Sequence, residues 1–162
     1  TYNHNDIKFV NRIKKLKPDL IILCGADILE KDIMEIPPKG CINFHSSLLP
    51  KYRGGSPIFW QLWFKDIVGV TIHFIYEKID KGDIVLQSEV EVKRGDDIDS
   101  LHLRACEVGK KLMWQAIKKI NDGTVIRKSQ HNLEGSYYKD PTKEEEKLLG
   151  AKLLERWEEN KE

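Results

Sequence analysis

Apolar positions along the chain change period several times, and each change predicts an element. Ile7, Val10 and Ile13 recur at helical spacing behind Asn5, a residue suited to the N-cap. Lys14, Lys15 and Lys17 fall in the last turns, where cations suit the helix dipole, and Pro18 ends the helix. Leu20 to Cys24 is then continuously apolar up to Gly25, the pattern of a strand covered on both faces. A short helix is expected from Asp27 to Glu35, before Pro37 and Pro38. A second strand is expected from Gly40 to His45, its end carrying Asn43 and His45.

Ser46 to Gly55 reads as a loop, and Pro57 as the first turn of a helix through Trp60 and Trp63. Val68–Tyr76 and Ile84–Val92 are rich in β-formers, with a loop from Glu77 to Asp83 between them. The longest helix follows Asp97. Leu101, Ala105, Val108, Leu112 and Ala116 form its apolar stripe, Lys110, Lys111, Lys118 and Lys119 face water, and Asn121-Asp122-Gly123 ends it. Tyr137 to Pro141 reads as an irregular crossing. Thr142 and Glu145 have capping-box spacing for a last helix carrying Leu148, Leu149, Leu153 and Trp157, with Glu155, Glu158, Glu159 and Glu162 making its end acidic. Helices alternating with strands predict an α/β fold with a mostly parallel sheet, to which the later hairpin adds antiparallel strands.

Composition narrows the class. The 162 residues suit one domain with its own core. The balance of 27 Lys+Arg against 26 Asp+Glu gives a net charge of +1, too little for nucleic-acid binding by bulk charge. No apolar run reaches the length of a membrane span, and Thr1 to Asp6 is polar. Cys24, Cys41 and Cys106 are odd in number and far apart, so neither a metal knuckle nor a disulfide framework is indicated; a cytoplasmic protein with reduced thiols is expected.

Candidate chemistry gathers in the middle. In an open α/β sheet, ligands sit beyond the carboxyl ends of the strands. Asn43 and His45 are two apart on one strand, so their side chains point the same way. An amide donor and an imidazole together can hold a developing oxyanion and move a proton. Asp80, in the loop before Gly82, can orient or charge-pair with the histidine. Each also has an ordinary reading as a turn or strand-end residue. His73 reads as a packing residue within its strand or as a support behind the site. Trp60 and Trp63 read as a core stripe.

The run Asn43-Phe44-His45-Ser46-Ser47-Leu48-Leu49-Pro50-Lys51-Tyr52-Arg53-Gly54 resembles a signature of the 10-formyltetrahydrofolate-dependent formyltransferases. Val70-Thr71-Ile72-His73 followed by Ile79-Asp80-Lys81-Gly82-Asp83-Ile84 resembles a second segment of that family, at a fitting separation. The resemblance implies a Rossmann-like formyltransferase fold and a catalytic trio of Asn43, His45 and Asp80. It implies that Leu23, Gly25, Ile28 and Leu29 hold the pterin edge of the folate, and that Ile75, Glu77 and Ile79 form a second folate-binding loop. It implies that Leu49-Pro50 is a cis turn. Ser47, Tyr52, Arg53 and Gly54 become candidates for the acceptor, with Arg53 and Tyr52 meeting a phosphate or sugar or, alternatively, pinning their own loop.

The implied reaction is formyl transfer from 10-formyltetrahydrofolate, as co-substrate, to a primary amine, with no metal. Asn43 and protonated His45 hold the oxyanion, and Asp80 raises the basicity of His45 and relays a proton. The family ordinarily places strands and helices ahead of the segment that here begins at Asn5. The chain therefore reads as a fragment or a short member, with residues 1–123 the carboxy-terminal part of a catalytic domain and 124–162 an extension. The amine of a nucleotide-linked amino sugar leads among acceptors, because the tail is acidic and the Tyr52-Arg53-Gly54 run looks like the tRNA and amino-sugar members. Methionyl-tRNA or glycinamide ribonucleotide transfer, formyltetrahydrofolate hydrolysis and an inactive folate-binding fragment stay open. Homodimerisation is a further expectation.

Overall fold

A computed structural model of the chain describes residues 6–25 and 28–159, the last six of these as helix backbone alone. Its first helix, α1 (Ile7–Leu16), buries Val10. The Asn5 cap lies outside the described residues. Asp6 occupies the N-cap and accepts a hydrogen bond from the Lys8 amide at 2.7 Å. Strand β1 (Ile21–Leu23) is shorter than its apolar run, and Ile22 is 44% exposed, so coverage on both faces does not hold there. The next helix shrinks to one turn, α2 (Lys31–Met34); Ala26 and Asp27, within the expected helix and loop, lie outside the described residues.

Strand β2 (Cys41–His45) pairs parallel with β1, then comes β3 (Arg53–Gly54), followed by α3 (Pro57–Trp63). Strands β4 (Gly69–Phe74) and β5 (Ile84–Glu89) complete a sheet of order β1-β2-β4-β5. The fold is α/β and Rossmann-like, but this part of its sheet is mixed. Only β1–β2 is parallel, while β2–β4 and β4–β5 are antiparallel. The alternation of helix and strand that suggests parallel pairing stops at β2, because β4 returns beside β2 in the opposite direction.

Helix α4 (Ile98–Asn121) lies along one face of the sheet. Its start is a capping box in which the Asp97 carboxylate accepts from the Ser100 amide and the Ser100 hydroxyl accepts from the Asp97 amide. Met113, Ala116 and Ile120 pack on Ile42, Ile72 and Phe74. Leu101, Ala105 and Ala116 are buried as the stripe predicts, Val108 and Leu112 are partly buried, and the stripe also includes Gly109 and Met113. A Cβ on Gly109 would collide with the Phe44 ring, so glycine is what lets α4 approach β2. The opposite face is covered at one end by α1 and α2, through Val10, Leu23, Leu29, Ile33 and Cys41. The other end of that face remains for Asn43 and His45.

The expected irregular crossing contains order. Tyr137–Tyr138 form β6, pairing parallel with β3. Gly54 fits because a Cβ there would strike the Tyr138 carbonyl. The capping box of the last helix, α5 (Lys143–Glu159), forms as expected: the Thr142 hydroxyl accepts from the Glu145 amide at 3.2 Å, and the Glu145 carboxylate accepts from the Thr142 amide at 2.8 Å. Leu149 enters a core with Trp60, Leu62 and Leu101, whereas Leu148 is exposed. The side chains of Glu155, Trp157, Glu158, Glu159 and Glu162 lie outside the described residues. No helix among the described residues is long and apolar enough to cross a membrane.

Candidate active site

Strand alternation builds the site. Cys41, Asn43 and His45 share one face of β2, while Ile42 and Phe44 turn toward α4. The antiparallel register sets Asn43 directly opposite His73 of β4. The Leu49–Pro50 peptide is cis, as the resemblance implies. The Thr71 hydroxyl donates to the Ser47 carbonyl at 2.6 Å and accepts from the Leu49 amide at 3.1 Å, tying that turn to β4.

Around this face opens a cavity of about 650 Å³. Leu23, Gly25, Ile28 and Leu29 line one side; Ile75, Glu77 and Ile79 line another. Asn43, His45 and Asp80 lie between them, so both expected loops and the expected trio meet in one space. The cavity sits beyond the carboxyl ends of β1 and β2.

The hydrogen bonds define what each polar group can do. The His45 Nε2–H donates to the Tyr52 carbonyl at 2.8 Å, which leaves Nδ1 as its proton-exchanging atom. Nδ1 lies 3.6 Å from Asp80 Oδ2, just beyond hydrogen-bond reach. Asp80 Oδ2 accepts the Gly54 amide at 2.8 Å, and its side chain is only 12% exposed.

His73 belongs to the same constellation. Its Nδ1–H donates to the Phe74 carbonyl at 2.8 Å, so Nε2 is the acceptor, and the Asn43 amide donates to it at 3.3 Å. Burial lowers the His73 pKa to about 4, helped by the nearby His45 and opposed by Asp80. The 3.5 Å approach of His73 Nε2 to Asp80 Oδ1 is therefore no ion pair at neutral pH. One hydrogen of the Asn43 amide is held by His73, and the second stays free for a ligand. The sequence offers His73 as a packing residue or a support behind the site, and the pairing register that places it opposite Asn43 fits the second reading.

The acceptor candidates fare unevenly. Gly54 lines the cavity, whereas the side chains of Ser47, Tyr52 and Arg53 turn inward. Ser47 is fully buried, and its hydroxyl donates to the Lys51 carbonyl. Tyr52 stacks beside Tyr138 and donates to Asp66 at 2.9 Å, while Arg53 donates to Gln130 at 2.9 Å. With both side chains engaged inside the fold, the geometry fits the alternative of a loop pinned from within. Tyr52 serves the site through its backbone carbonyl. Sequence reasoning missed His102, Cys106, Tyr137 and Asp140 as walls of the cavity; their separation in sequence gives no local signal. Among the described residues no group of three His, Cys, Asp or Glu side chains could hold a metal ion.

This geometry sits on a family framework. Residues 2–117 match the model of the formyl transferase family, and the chain belongs to that family. It is 40% identical over 145 residues to a methionyl-tRNA formyltransferase of Methylacidiphilum infernorum, covering 88% of this chain and 45% of that protein. The methionyl-tRNA formyltransferase of Clostridioides difficile is 38% identical over 134 residues, covering 82% of this chain and 43% of that protein. The chain thus spans a little under half the length of these relatives. Among solved structures it resembles the formyltransferase PseJ from Anoxybacillus kamchatkensis, solved with UDP-4,6-dideoxy-4-formamido-L-AltNAc and tetrahydrofolate. That match has a TM-score of 0.70 and 33% identity, covering 82% of this chain and 69% of that one. It also resembles glycinamide ribonucleotide transformylase 1 from Symbiobacterium toebii, with a TM-score of 0.67 and 27% identity, covering 72% and 56%.

Proposed function

We propose that this chain carries the catalytic centre for transfer of a formyl group from 10-formyltetrahydrofolate to a primary amine. The observation that carries this reading is the convergence of Asn43, His45 and Asp80 in one cavity between two strand-end loops. Ile28 and Ile79, 66% and 40% exposed, offer apolar walls to a flat ring, and the backbone of the two loops offers polar edges to it.

Attack of the amine nitrogen on the formyl carbon places negative charge on the formyl oxygen. The free Asn43 N–H and protonated His45 Nδ1 are the donors available for it. Asp80 takes up the proton lost by the amine, and that proton leaves with the folate nitrogen as its bond to the formyl carbon breaks. The Gly54 amide holds the Asp80 carboxylate in place for this role.

Two acceptors have support. The 40% and 38% identities to methionyl-tRNA formyltransferases favour the amino group of a methionyl ester. The 33% identity to a structure holding a formylated UDP-sugar supports a nucleotide-linked amino sugar. The internally engaged Arg53 offers neither of them a phosphate contact.

The test incubates the complete protein with 10-formyltetrahydrofolate and, in parallel, methionyl-tRNA, a nucleotide-linked amino sugar, glycinamide ribonucleotide or no amine. Release of tetrahydrofolate only with an amine, fastest with methionyl-tRNA, is expected. Release without an amine would indicate a hydrolase, and binding without release would indicate a folate-binding module; either overturns the reading.

A further inference from the structure

The segment after α4 carries one polar side chain as buried as the core, Gln130, at 3% exposure. A buried amide needs partners for both its donor and its acceptor ends. All the partners of the Gln130 side chain belong to the framework of the site. Its Nε2 donates to the Asp80 carbonyl at 3.0 Å and to the Gly82 carbonyl at 2.6 Å. Its Oε1 accepts from Arg53 Nη2 at 2.9 Å. Arg53 is 4% exposed, and its Nε is the single buried side-chain N or O atom among the described residues without a hydrogen-bond partner. The guanidinium therefore sits in this position with part of its bonding capacity unused.

The loop that Gln130 grips needs holding. Asp80 has φ +51°, a left-handed conformation that costs energy for a residue with a Cβ, less for aspartate than for most. Gly82 lies so close to β4 that a Cβ there would drive into the Phe74 carbonyl. The Asp80 carboxylate is held from the side by the Gly54 amide, and its backbone is held from behind by Gln130. Arg53 and Gly54 are neighbours in β3, so one dipeptide reaches Asp80 by two routes: directly through Gly54, and through Gln130 by way of Arg53.

We propose that Gln130 and Arg53 form a positioning pair that fixes where the Asp80 carboxylate stands relative to His45. The proposal rests on the formyl-transfer reading. It assigns the buried arginine to the placement of the catalytic loop, and it gives the segment after α4 a part in the chemistry.

Gln130→Glu tests it in the complete protein. The variant keeps the size and the acceptor for Arg53 but replaces the donors facing the Asp80 and Gly82 carbonyls with an oxygen. A displacement of about 1 Å at a reacting group can cost on the order of 100-fold in rate. A loss of roughly 10–100-fold in kcat is expected, with the dissociation constant for 10-formyltetrahydrofolate nearly unchanged. In an Asp80→Asn background the same substitution should cost almost nothing further, because a residue acting through a carboxylate has no effect once that carboxylate is gone. Equal losses in both backgrounds would mean general scaffolding and overturn the proposal, as would an unchanged kcat. If Gln130→Glu fails to fold by circular dichroism, Arg53→Lys, which keeps the charge but loses the planar fork, carries the same comparison with the same two outcomes. An Asp80→Asn protein as active as wild type would remove Asp80 from the chemistry and the positioning proposal with it, whereas a wild-type protein that releases no tetrahydrofolate with any amine would refute the formyl-transfer reading itself.

Discussion

His73 is held neutral by its surroundings. Burial disfavours its charged form, and the Phe74 carbonyl and Asn43 amide fix its neutral tautomer. Its folded pKa of about 4 lies below the ordinary 6.5, so between those values the unfolded chain takes up a proton that the fold refuses. Stability from this group is therefore complete above pH 6.5 and is lost as pH falls toward 4, by about 3 kcal/mol at most at 1.36 kcal/mol per unit. Urea midpoints measured between pH 4 and 7 should fall less steeply in His73→Gln than in wild type; parallel slopes would contradict the assignment. At this scale the sequence was informative where side-chain direction follows from spacing. Asn43 and His45, two apart on a strand, had to share a face. Arg53 was harder to read, because a loop arginine can turn either way and only the buried Gln130, 77 residues later, shows that it turns inward.

The elements divide along the same line. Helix α4 was legible from its apolar stripe and its capping residues, because a 24-residue amphipathic helix repeats its signal many times. The two-residue strands β3 and β6 repeat nothing and exist only through pairing with each other. Gly109 lies between these cases: in sequence it is a weak helix residue, and in space it is the contact between α4 and Phe44. Alanine at an exposed helical position gains about 1 kcal/mol over glycine. Gly109→Ala should instead lose about 1–2 kcal/mol, because the added methyl forces the Phe44 ring aside and overpacking of this kind costs about 1–3 kcal/mol. Phe44 sits between Asn43 and His45 on β2, so transfer should slow as well. Equilibrium urea unfolding measures the first effect, and a stabilised variant would show that the contact is not tight.

Over the whole molecule, parts distant in sequence assemble one cavity. β1 and β2 end beside it, the β4–β5 loop brings Asp80, β3 supplies the Gly54 amide, and the segment after α4 locks the Asp80 backbone through Gln130. Residues on both sides of position 123 contribute to the cavity or to its support. The sheet shows why topology was only partly readable. Helix–strand alternation predicts parallel neighbours, and it does so for β1 and β2, but the antiparallel return of β4 depends on a loop and a short helix that carry no directional signal.

Asn43, His45 and Asp80 should act on formyl transfer as one unit, and single-turnover kinetics of the complete protein shows whether they do. Asn43→Ala, His45→Asn and Asp80→Asn are each measured alone and in pairs, with 10-formyltetrahydrofolate binding followed separately. Asn43→Ala should slow transfer by roughly 10²–10³-fold, the usual cost of losing an oxyanion donor, His45→Asn and Asp80→Asn should also slow it, and folate binding should survive. Paired replacements should slow transfer by much less than the product of the single effects. Wild-type rates from His45→Asn or Asp80→Asn, or fully multiplicative losses in the pairs, would mean that the three residues do not work as a unit.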